Sequence, residues 1–215
     1  TELQDFRENF DSSYAAVYHP WLQCYDPLLK RNAFLPPSGS VAGIYARTDI
    51  TRGVYKAPAN EVVKSCTGLS LNYNEAEQAK LNPKGVNLIR KIGGQGIRIW
   101  GARTCSNDGN WKYINVRRLF IFIEESIRAN TNWAVFEPND EMLWSRVEGT
   151  IRVFLTAQWR NGALAGGTAE EAFFINIGKS TMTEDDILNG RLICVIGVAP
   201  VRPAEFVVFR ITQKM

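Results

Sequence analysis

Two amphipathic helices in the second half of this 215-residue chain limit its possible folds most strongly. Apolar residues recur there three or four positions apart, which is the spacing of one helix face. The first stripe consists of Val116, Leu119, Phe120, Ile123 and Ile127, and the second of Met142, Leu143, Val147, Ile151, Phe154 and Leu155. Asn139 or Asp140 can cap the second helix at its start, and Gly162 can end it. Each stripe needs another layer to cover it, so we expect a globular fold here.

Short apolar runs bounded by turn residues predict strands on both sides of these helices. They fall at 12–18, 86–90, 97–101, 133–136, 173–177, 191–198 and 205–211. A glycine-rich turn at 93–96 separates the second run from the third. A capping box from Asn74 to Glu77 predicts a short helix, and small and apolar residues at 41–47 predict a helix packed on a sheet.

Charge and cysteine usage exclude several classes of protein. The chain has 25 Lys and Arg against 22 Asp and Glu, and a net charge of +3 is too small to indicate nucleic-acid binding. No apolar run reaches the roughly 18 residues of a membrane span. The four cysteines, at 24, 66, 105 and 194, form no CxxC pair, so we expect free, buried thiols in a reducing compartment. The chain begins at Thr1, and we expect it to be a piece of a longer protein.

The sequence contains no recognisable catalytic motif. Its single histidine, His19, directly precedes Pro20 and has no nucleophile elbow near it, so a Ser-His-Asp or Cys-His site is not indicated. The glycine-rich stretch at 93–96 lacks the Lys-Ser/Thr ending of a phosphate-binding loop. We therefore expect no catalytic residue, metal or cofactor. The alternative is an α/β hydrolase with a site on loops near Arg47 and Asp49.

The last apolar run offers a possible route to assembly. Phe206, Val207, Val208 and Phe209 have polar residues at both ends. A terminal strand carries unpaired backbone groups that can join the sheet of another chain. It can equally close a sheet within its own chain, and the residues alone leave both alternatives open.

Eight segments form a recurring pattern when they are taken in chain order. They are VAGIYARTD (41–49), RGV (52–54), KAPANE (56–61), GIRIWGART (96–104), NVRRL (115–119), IEESI (123–127), FEPND (136–140) and PVRPAEFV (200–207). This series resembles the tail sheath proteins of contractile phages, R-type pyocins and extracellular phage-tail-like injection particles. The resemblance covers nearly the whole chain, and its specificity comes from the segments taken together.

The resemblance implies an α+β fold in two parts. Residues 1–104 would form the C-terminal part of the central α/β sheath domain, a region of protease-like topology that has no catalytic triad here. Residues 105–215 would form the C-terminal sheath domain, in which the two main helices flank a mixed sheet. Its terminal strand, in an arm from about 205 to 215, would be available for β-augmentation between subunits.

The same resemblance implies a structural function and no enzymatic activity. Sheath subunits polymerise helically around an inner tube, and contraction drives the tube through a target cell envelope. The implied partners are other sheath subunits, the inner tube protein, and baseplate and terminator proteins, without nucleic acid or direct membrane insertion. Such a protein would be assembled in the bacterial cytoplasm and act in a virion tail or an extracellular phage-tail-like particle.

Two sets of residues would carry these contacts. The inter-subunit arm would comprise Glu205, Phe206, Val207, Val208, Phe209, Arg210 and Ile211, received by a free edge beside 191–198. The family attaches to its tube through charged residues on a C-terminal-domain helix. Arg146, Arg152 and Arg160 on the second predicted helix are the first candidates, and Arg117 and Arg118 on the preceding helix are the second. Ordinary solvent-facing arginines are the alternative interpretation.

Overall fold

The computed structural model describes residues 2–28 and 30–206. Its helices are α1 (Glu2–Glu8), α2 (Ser38–Arg52), α3 (Glu75–Leu81), α4 (Ile114–Thr131), α5 (Glu141–Arg160), α6 (Ala169–Ala172) and α7 (Glu184–Leu188). Its strands are β1 (Val17–His19), β2 (Leu22–Asp26), β3 (Arg31–Leu35), β4 (Glu61–Val62), β5 (Gly68–Leu69), β6 (Val86–Ile92), β7 (Gly96–Ile99), β8 (Phe173–Ile177) and β9 (Cys194–Val198). The predicted α+β class is confirmed.

The first half of the chain is built around a four-stranded mixed sheet in the order β1-β6-β7-β4. Strand β1 runs parallel to β6, whereas the pairs β6–β7 and β7–β4 are antiparallel. Helix α2 contributes Val41 and Ile44 to a buried cluster that also contains Ile99 of the sheet. The smaller antiparallel sheet β3-β2-β5 joins the same cluster through Leu22. One apolar core therefore connects both sheets and α2.

Three local predictions for this half are confirmed. Strands β6 and β7 form a hairpin around 93–96, and α2 includes residues 41–47. The side chain of Asn74 accepts a hydrogen bond from the Glu77 amide at 2.9 Å, and the side chain of Glu77 accepts one from the Asn74 amide at 2.8 Å. These reciprocal bonds satisfy amide groups that have no partner within the helix, so α3 begins where the sequence indicates.

Helices α4 and α5 pack against each other and against the β8–β9 pair in the second half. Their shared core includes Leu119, Ile123, Leu143, Val147, Ile151 and Leu155 from the helices and Phe173 and Ile175 from β8. Asp140 caps α5 by accepting a hydrogen bond from the Leu143 amide at 2.9 Å, and Gly162 follows its end with a φ of +80°. Both predicted helices are confirmed, although Met142 lies outside the core face and is 73% exposed.

The sheet of the second half differs from the expected one. Within the described residues it is the two-stranded antiparallel pair β8–β9, whereas the mixed sheet lies in the first half. An apolar run indicates which residues form a strand, but the direction of its neighbour depends on the connection between them. Here the chain passes through α7 and returns beside β8 in the opposite direction.

The predicted strand at 133–136 is wrong. Asn132–Ala134 forms a 3-10 helix, and Val135 and Phe136 are 62% and 103% exposed. The segment connects two long helices, and it pairs with no strand of residues 2–28 and 30–206. Aromatic and β-branched residues favour strands only where a sheet receives them.

Two other predicted strands are shorter than expected. The strand at 12–18 is limited to Val17–His19, because a turn precedes it in which the Tyr14 amide donates to the Ser12 hydroxyl at 3.2 Å. The strand at 191–198 begins only at Cys194. Arg191 is instead held by two carboxylates of α7, those of Asp185 and Asp186, at 2.9 and 2.8 Å.

Candidate assembly surfaces

A carboxylate near the end of the described residues is bound from both halves of the protein. Glu205 Oε1 accepts hydrogen bonds from Asn82 Nδ2 at 2.7 Å and Arg103 Nε at 2.8 Å. Glu205 Oε2 accepts from Arg103 Nη2 at 2.7 Å and from the Tyr113 hydroxyl at 3.1 Å. Lys112 Nζ lies 3.9 Å from the same oxygen. We call this group the Glu205 cluster, and it consists of Glu205, Arg103, Asn82 and Tyr113.

Burial and hydrogen bonding act in opposite directions on this carboxyl group. The Glu205 side chain is 16% exposed and that of Arg103 is 9% exposed. Burial raises the pKa of Glu205, but hydrogen bonds from Arg103 and Asn82 and the charge of Arg103 outweigh it, so the pKa lies below its ordinary value. The carboxylate is therefore ionised at neutral pH. Its two oxygens meet the guanidinium in the paired geometry that makes such bonds strong.

The Glu205 cluster changes the interpretation of the predicted inter-subunit arm. Glu205 and Phe206 are not in a strand, and Glu205 is bound within its own chain, whereas Phe206 is 70% exposed. The other predicted arm residues, Val207, Val208, Phe209, Arg210 and Ile211, lie outside the described residues. Sequence reasoning missed the inward role of Glu205 because its hydrogen-bond partners lie 92 to 123 positions away.

Strands β8 and β9 form the sheet beside which the arm was expected to dock. They pair from Phe173 opposite Val198 to Ile177 opposite Cys194. Within residues 2–28 and 30–206, neither strand has a second strand neighbour. A receiving edge beside 191–198 stays a prediction.

The three arginines predicted on the polar side of α5 are exposed and lie in different surroundings. Arg146 lies 3.7 Å from Glu137, and Arg152 pairs with Glu148 one turn earlier at 2.6 Å. Arg160 lies in the last turn, where a positive charge interacts favourably with the helix dipole. Exposed ion pairs contribute about 0–1 kcal/mol, so Arg152 can exchange its partner for another at little energetic cost. Arg146 also has its guanidinium 4.4 Å from the ring centroid of Trp133.

The two arginines predicted as second candidates are engaged inside the protein. Arg117 is 9% exposed, and its guanidinium lies 3.6 Å from the ring centroid of Trp111 and 4.4 Å from that of Tyr14. Arg118 donates two hydrogen bonds to the Asp49 carboxylate, at 2.7 and 2.6 Å, and so links α4 to α2. Both guanidinium groups are thus engaged within the protein, although the Arg118 side chain is 26% exposed, and a contact of either one with the tube stays a prediction.

The alternative hydrolytic site near Arg47 and Asp49 is contradicted by the structure. Both residues lie on α2 and not on loops. Arg47 donates a hydrogen bond to the Val62 carbonyl at 2.7 Å, and the Asp49 carboxylate accepts hydrogen bonds from Arg118. Each side chain thus fastens α2 to a neighbouring element, and the two do not act on a common site.

Metal and membrane features were also sought in the part of the chain that the structure describes. There, no group of three or more His, Cys, Asp or Glu side chains is arranged to hold a metal ion. None of the helices in residues 2–28 and 30–206 combines the length and apolar character needed to cross a membrane. The four cysteines are free thiols.

Comparison with known families gives matches along nearly the whole chain. The model of the phage tail sheath protein central domain matches residues 4–105. The model of the phage tail sheath C-terminal domain matches residues 106–214. The two matches follow each other in the order expected from a single sheath subunit.

Individual sheath proteins agree with these matches. The tail sheath protein of Escherichia phage P2 is 25% identical over 100% of this chain and 54% of its own length. A chain of the extracellular contractile injection system PVC sheath complex, in the contracted state, is 39% identical with a TM-score of 0.91, over 98% of this chain and 59% of that chain. A chain of the anti-feeding prophage (AFP) baseplate structure is 44% identical with a TM-score of 0.89, over 95% of this chain and 56% of that chain. This chain thus spans a little over half the length of each of these proteins, and it belongs to the phage tail sheath protein family.

Proposed function

We propose that this chain is the central and C-terminal part of a sheath subunit that polymerises helically around an inner tube and contracts. The observation that carries the proposal is the match of 98% of the chain, at a TM-score of 0.91, to a sheath complex of a contractile injection system. A similar chain, 44% identical, comes from the AFP helical sheath in the contracted state. Contraction would drive the tube through a target cell envelope.

The proposed role is structural and not enzymatic. The charged side chains that could have supported chemistry, Arg47, Asp49 and Arg118, are used to connect elements to one another. Such connections suit a subunit that must keep its shape under load. We therefore assign no catalytic residue, metal or cofactor to this function.

The proposed partners are other sheath subunits, an inner tube protein, and baseplate and terminator proteins. Similar chains in a sheath complex and in a baseplate structure support the first and third of these partners. The inner tube and the terminator rest on the family resemblance. The subunit would be assembled in the bacterial cytoplasm and act in a virion tail or an extracellular phage-tail-like particle.

The chain is proposed to divide into a part of the central domain at 1–104 and a C-terminal domain at 105–215. Two observations support this division. The family matches change from one model to the other between residues 105 and 106. The main buried cluster of the first half contains residues 22–99, and that of the second half contains residues 119–182.

The segment after Glu205 is proposed to complete the sheet of a neighbouring subunit. Its apolar residues at 206–209 suit a strand, and the Phe206 side chain is 70% exposed. The β8–β9 pair, with no further strand neighbour in the described residues, is the proposed receiving sheet. Backbone pairing of this kind gives affinity that survives rigid-body rotation of the subunits.

The inner tube is proposed to contact the exposed arginines of α5. Reversing two charges, by Arg146→Glu with Arg152→Glu, should reduce the amount of tube that is retained in purified particles. Arg128→Glu is the control for reversing an exposed charge elsewhere, because Arg128 is a 70% exposed arginine on α4, 3.1 Å from Glu125, against 57% for Arg146 and 50% for Arg152. Equal particle yield and tube retention in both variants would contradict the contact.

Negative-stain electron microscopy of the native assembly tests the proposed function itself. A sheath subunit should be found in hollow, transversely striated cylinders. Discrete compact oligomers, without cylinders, would contradict the sheath proposal and favour a different role.

A further inference from the structure

Successive contacts connect the core sheet to the start of the C-terminal segment. Asn87 of β6 has no exposed surface. Its side chain accepts a hydrogen bond from the Arg103 amide at 2.7 Å and donates one to the Arg103 carbonyl at 2.8 Å. Arg103 in turn holds Glu205 through Nε and Nη2. The backbone of Arg103 is therefore held at both its amide and its carbonyl, and its side chain, only 9% exposed, holds the segment that carries Glu205.

The second half of the protein holds the same segment from the other side. The Tyr113 hydroxyl donates to Glu205, and Tyr113 immediately precedes α4. Asn115 is the second residue of α4, and its Nδ2 donates to the Val201 carbonyl at 3.2 Å. The Val201 amide donates to the Ala163 carbonyl at 3.3 Å. Residues 201–205 are thus tied to the mixed sheet, to α4 and to the end of α5 without being part of a strand.

We propose that Arg103 and Glu205 form a clamp that transmits force between the C-terminal arm and both halves of the subunit. The inference rests on the proposed sheath function, in which the arm is pulled by a neighbouring subunit. Phe206, directly after the clamp, is 70% exposed. A pull on the arm reaches Arg103 through two parallel charge-assisted hydrogen bonds, the strongest kind available to side chains. It passes to the mixed sheet through Asn87 and to α4 through Tyr113.

An ordinary stabilising ion pair would behave differently from a clamp. Loss of a pair that only stabilises the core lowers amide protection throughout the cooperative unit. Loss of a clamp releases the segment that it holds and leaves the rest protected. The distinction can be measured on the unassembled subunit, so it does not depend on whether the sheath proposal is correct.

Hydrogen exchange on the full subunit provides the test. Glu205→Gln keeps the shape of the side chain and removes its charge, so the charge-assisted bonds are lost. The Val201 amide, which donates to the Ala163 carbonyl, should then exchange at least about tenfold faster. The amides of α5 and β8 should exchange faster only to the extent that the global free energy of unfolding falls, which is a smaller increase than in the released segment. Asp49→Asn is the control, because it breaks the other two-bond pair between the halves, with Arg118, and does not touch residues 201–206. Should Glu205→Gln fail to fold, Tyr113→Phe provides a second variant. It removes a single hydrogen bond of the clamp and should give a smaller increase in the exchange rate of the Val201 amide.

The outcomes separate the clamp from the proposed function. Unchanged exchange at the Val201 amide, or an equal increase across α5 and β8, would overturn the clamp. In particles built with the Glu205→Gln subunit, triggered contraction should break the sheath into short pieces more often than in wild-type particles, and equal continuity would also overturn it. If the wild-type subunit forms no sheath at all, the sheath proposal fails while the exchange result for the clamp still stands.

Discussion

At the scale of single residues, Glu205 makes the stability of the fold depend on pH. Its pKa is below the ordinary value in the folded protein, and about 4.3 is expected in the unfolded chain. The groups that face it are Arg103, Lys112, Asn82 and Tyr113, and both cations stay charged in acid. The contribution of the ionised carboxylate is therefore fully present above the unfolded pKa. It is lost as the pH falls through the lower pKa of the folded state.

A comparison of unfolding free energies across pH tests this dependence. The wild-type subunit should exceed Glu205→Gln in stability at pH 7, and the difference should shrink steadily below about pH 4. Glu170→Gln, at an exposed acid, controls for the loss of one negative charge and should show no such change. A difference between wild type and Glu205→Gln that stays constant from pH 7 to pH 3 would show that the carboxylate is not held as described.

Residue roles were predictable from the sequence where the partner is local. The caps at Asn74 and Asp140 bond to amides three positions away, so the spacing of residue types reveals them. The pairs Arg118–Asp49 and Arg103–Glu205 join residues 69 and 102 positions apart, and only the fold brings them together. For this reason Arg118 and Glu205 looked available to partner molecules in the sequence, although the fold uses both internally.

At the scale of elements, the close approach of two segments depends on one glycine. A Cβ on Gly101 would lie 2.9 Å from the backbone Cα of Asn87 and 2.8 Å from its side-chain oxygen. Backbone atoms of a buried strand cannot move aside easily. Gly101→Ala should therefore lower the free energy of unfolding by about 1–3 kcal/mol, the usual cost of overpacking.

The matched substitution is Gly149→Ala in the middle of α5, where a Cβ would meet no atom within 4 Å. Alanine is the better helix former, so this change should raise the stability of the unassembled subunit by about 0.5–1 kcal/mol. Chemical denaturation of both variants gives the comparison. Equal effects of the two substitutions would show that the tight contact at Gly101 is absent.

Elements were predicted well where the pattern is long and poorly where it is short. The stripes of α4 and α5 repeat over several turns, and burial of one face selects the helix. The four residues at 133–136 have strand-forming side chains but no sheet to join, so the connection between the helices overrides their propensity. The direction of β8 against β9 was likewise not predictable, since it is set by the path of the chain between them.

At the scale of the whole molecule, polar links make the two halves a connected body. Arg118 and Asp49 join α4 to α2, Asn115 donates to the Tyr55 carbonyl at 2.9 Å, and the Glu205 cluster joins both halves to the C-terminal segment. In the proposed function, the subunit would rotate as a unit while its arm stays bound to a neighbour. The resemblance of eight ordered segments predicted the family. The links between the halves suit the proposed function, and they could be seen only in the folded structure.

Removal of residues 206–215 from the full sheath subunit tests the central claim most directly. Electron microscopy should be combined with circular dichroism and sedimentation of the same samples. We expect a folded subunit with wild-type helix content that sediments as a monomer and forms no cylinders, because the proposed arm is missing. Cylinders of normal length and abundance from the truncated subunit would contradict this claim.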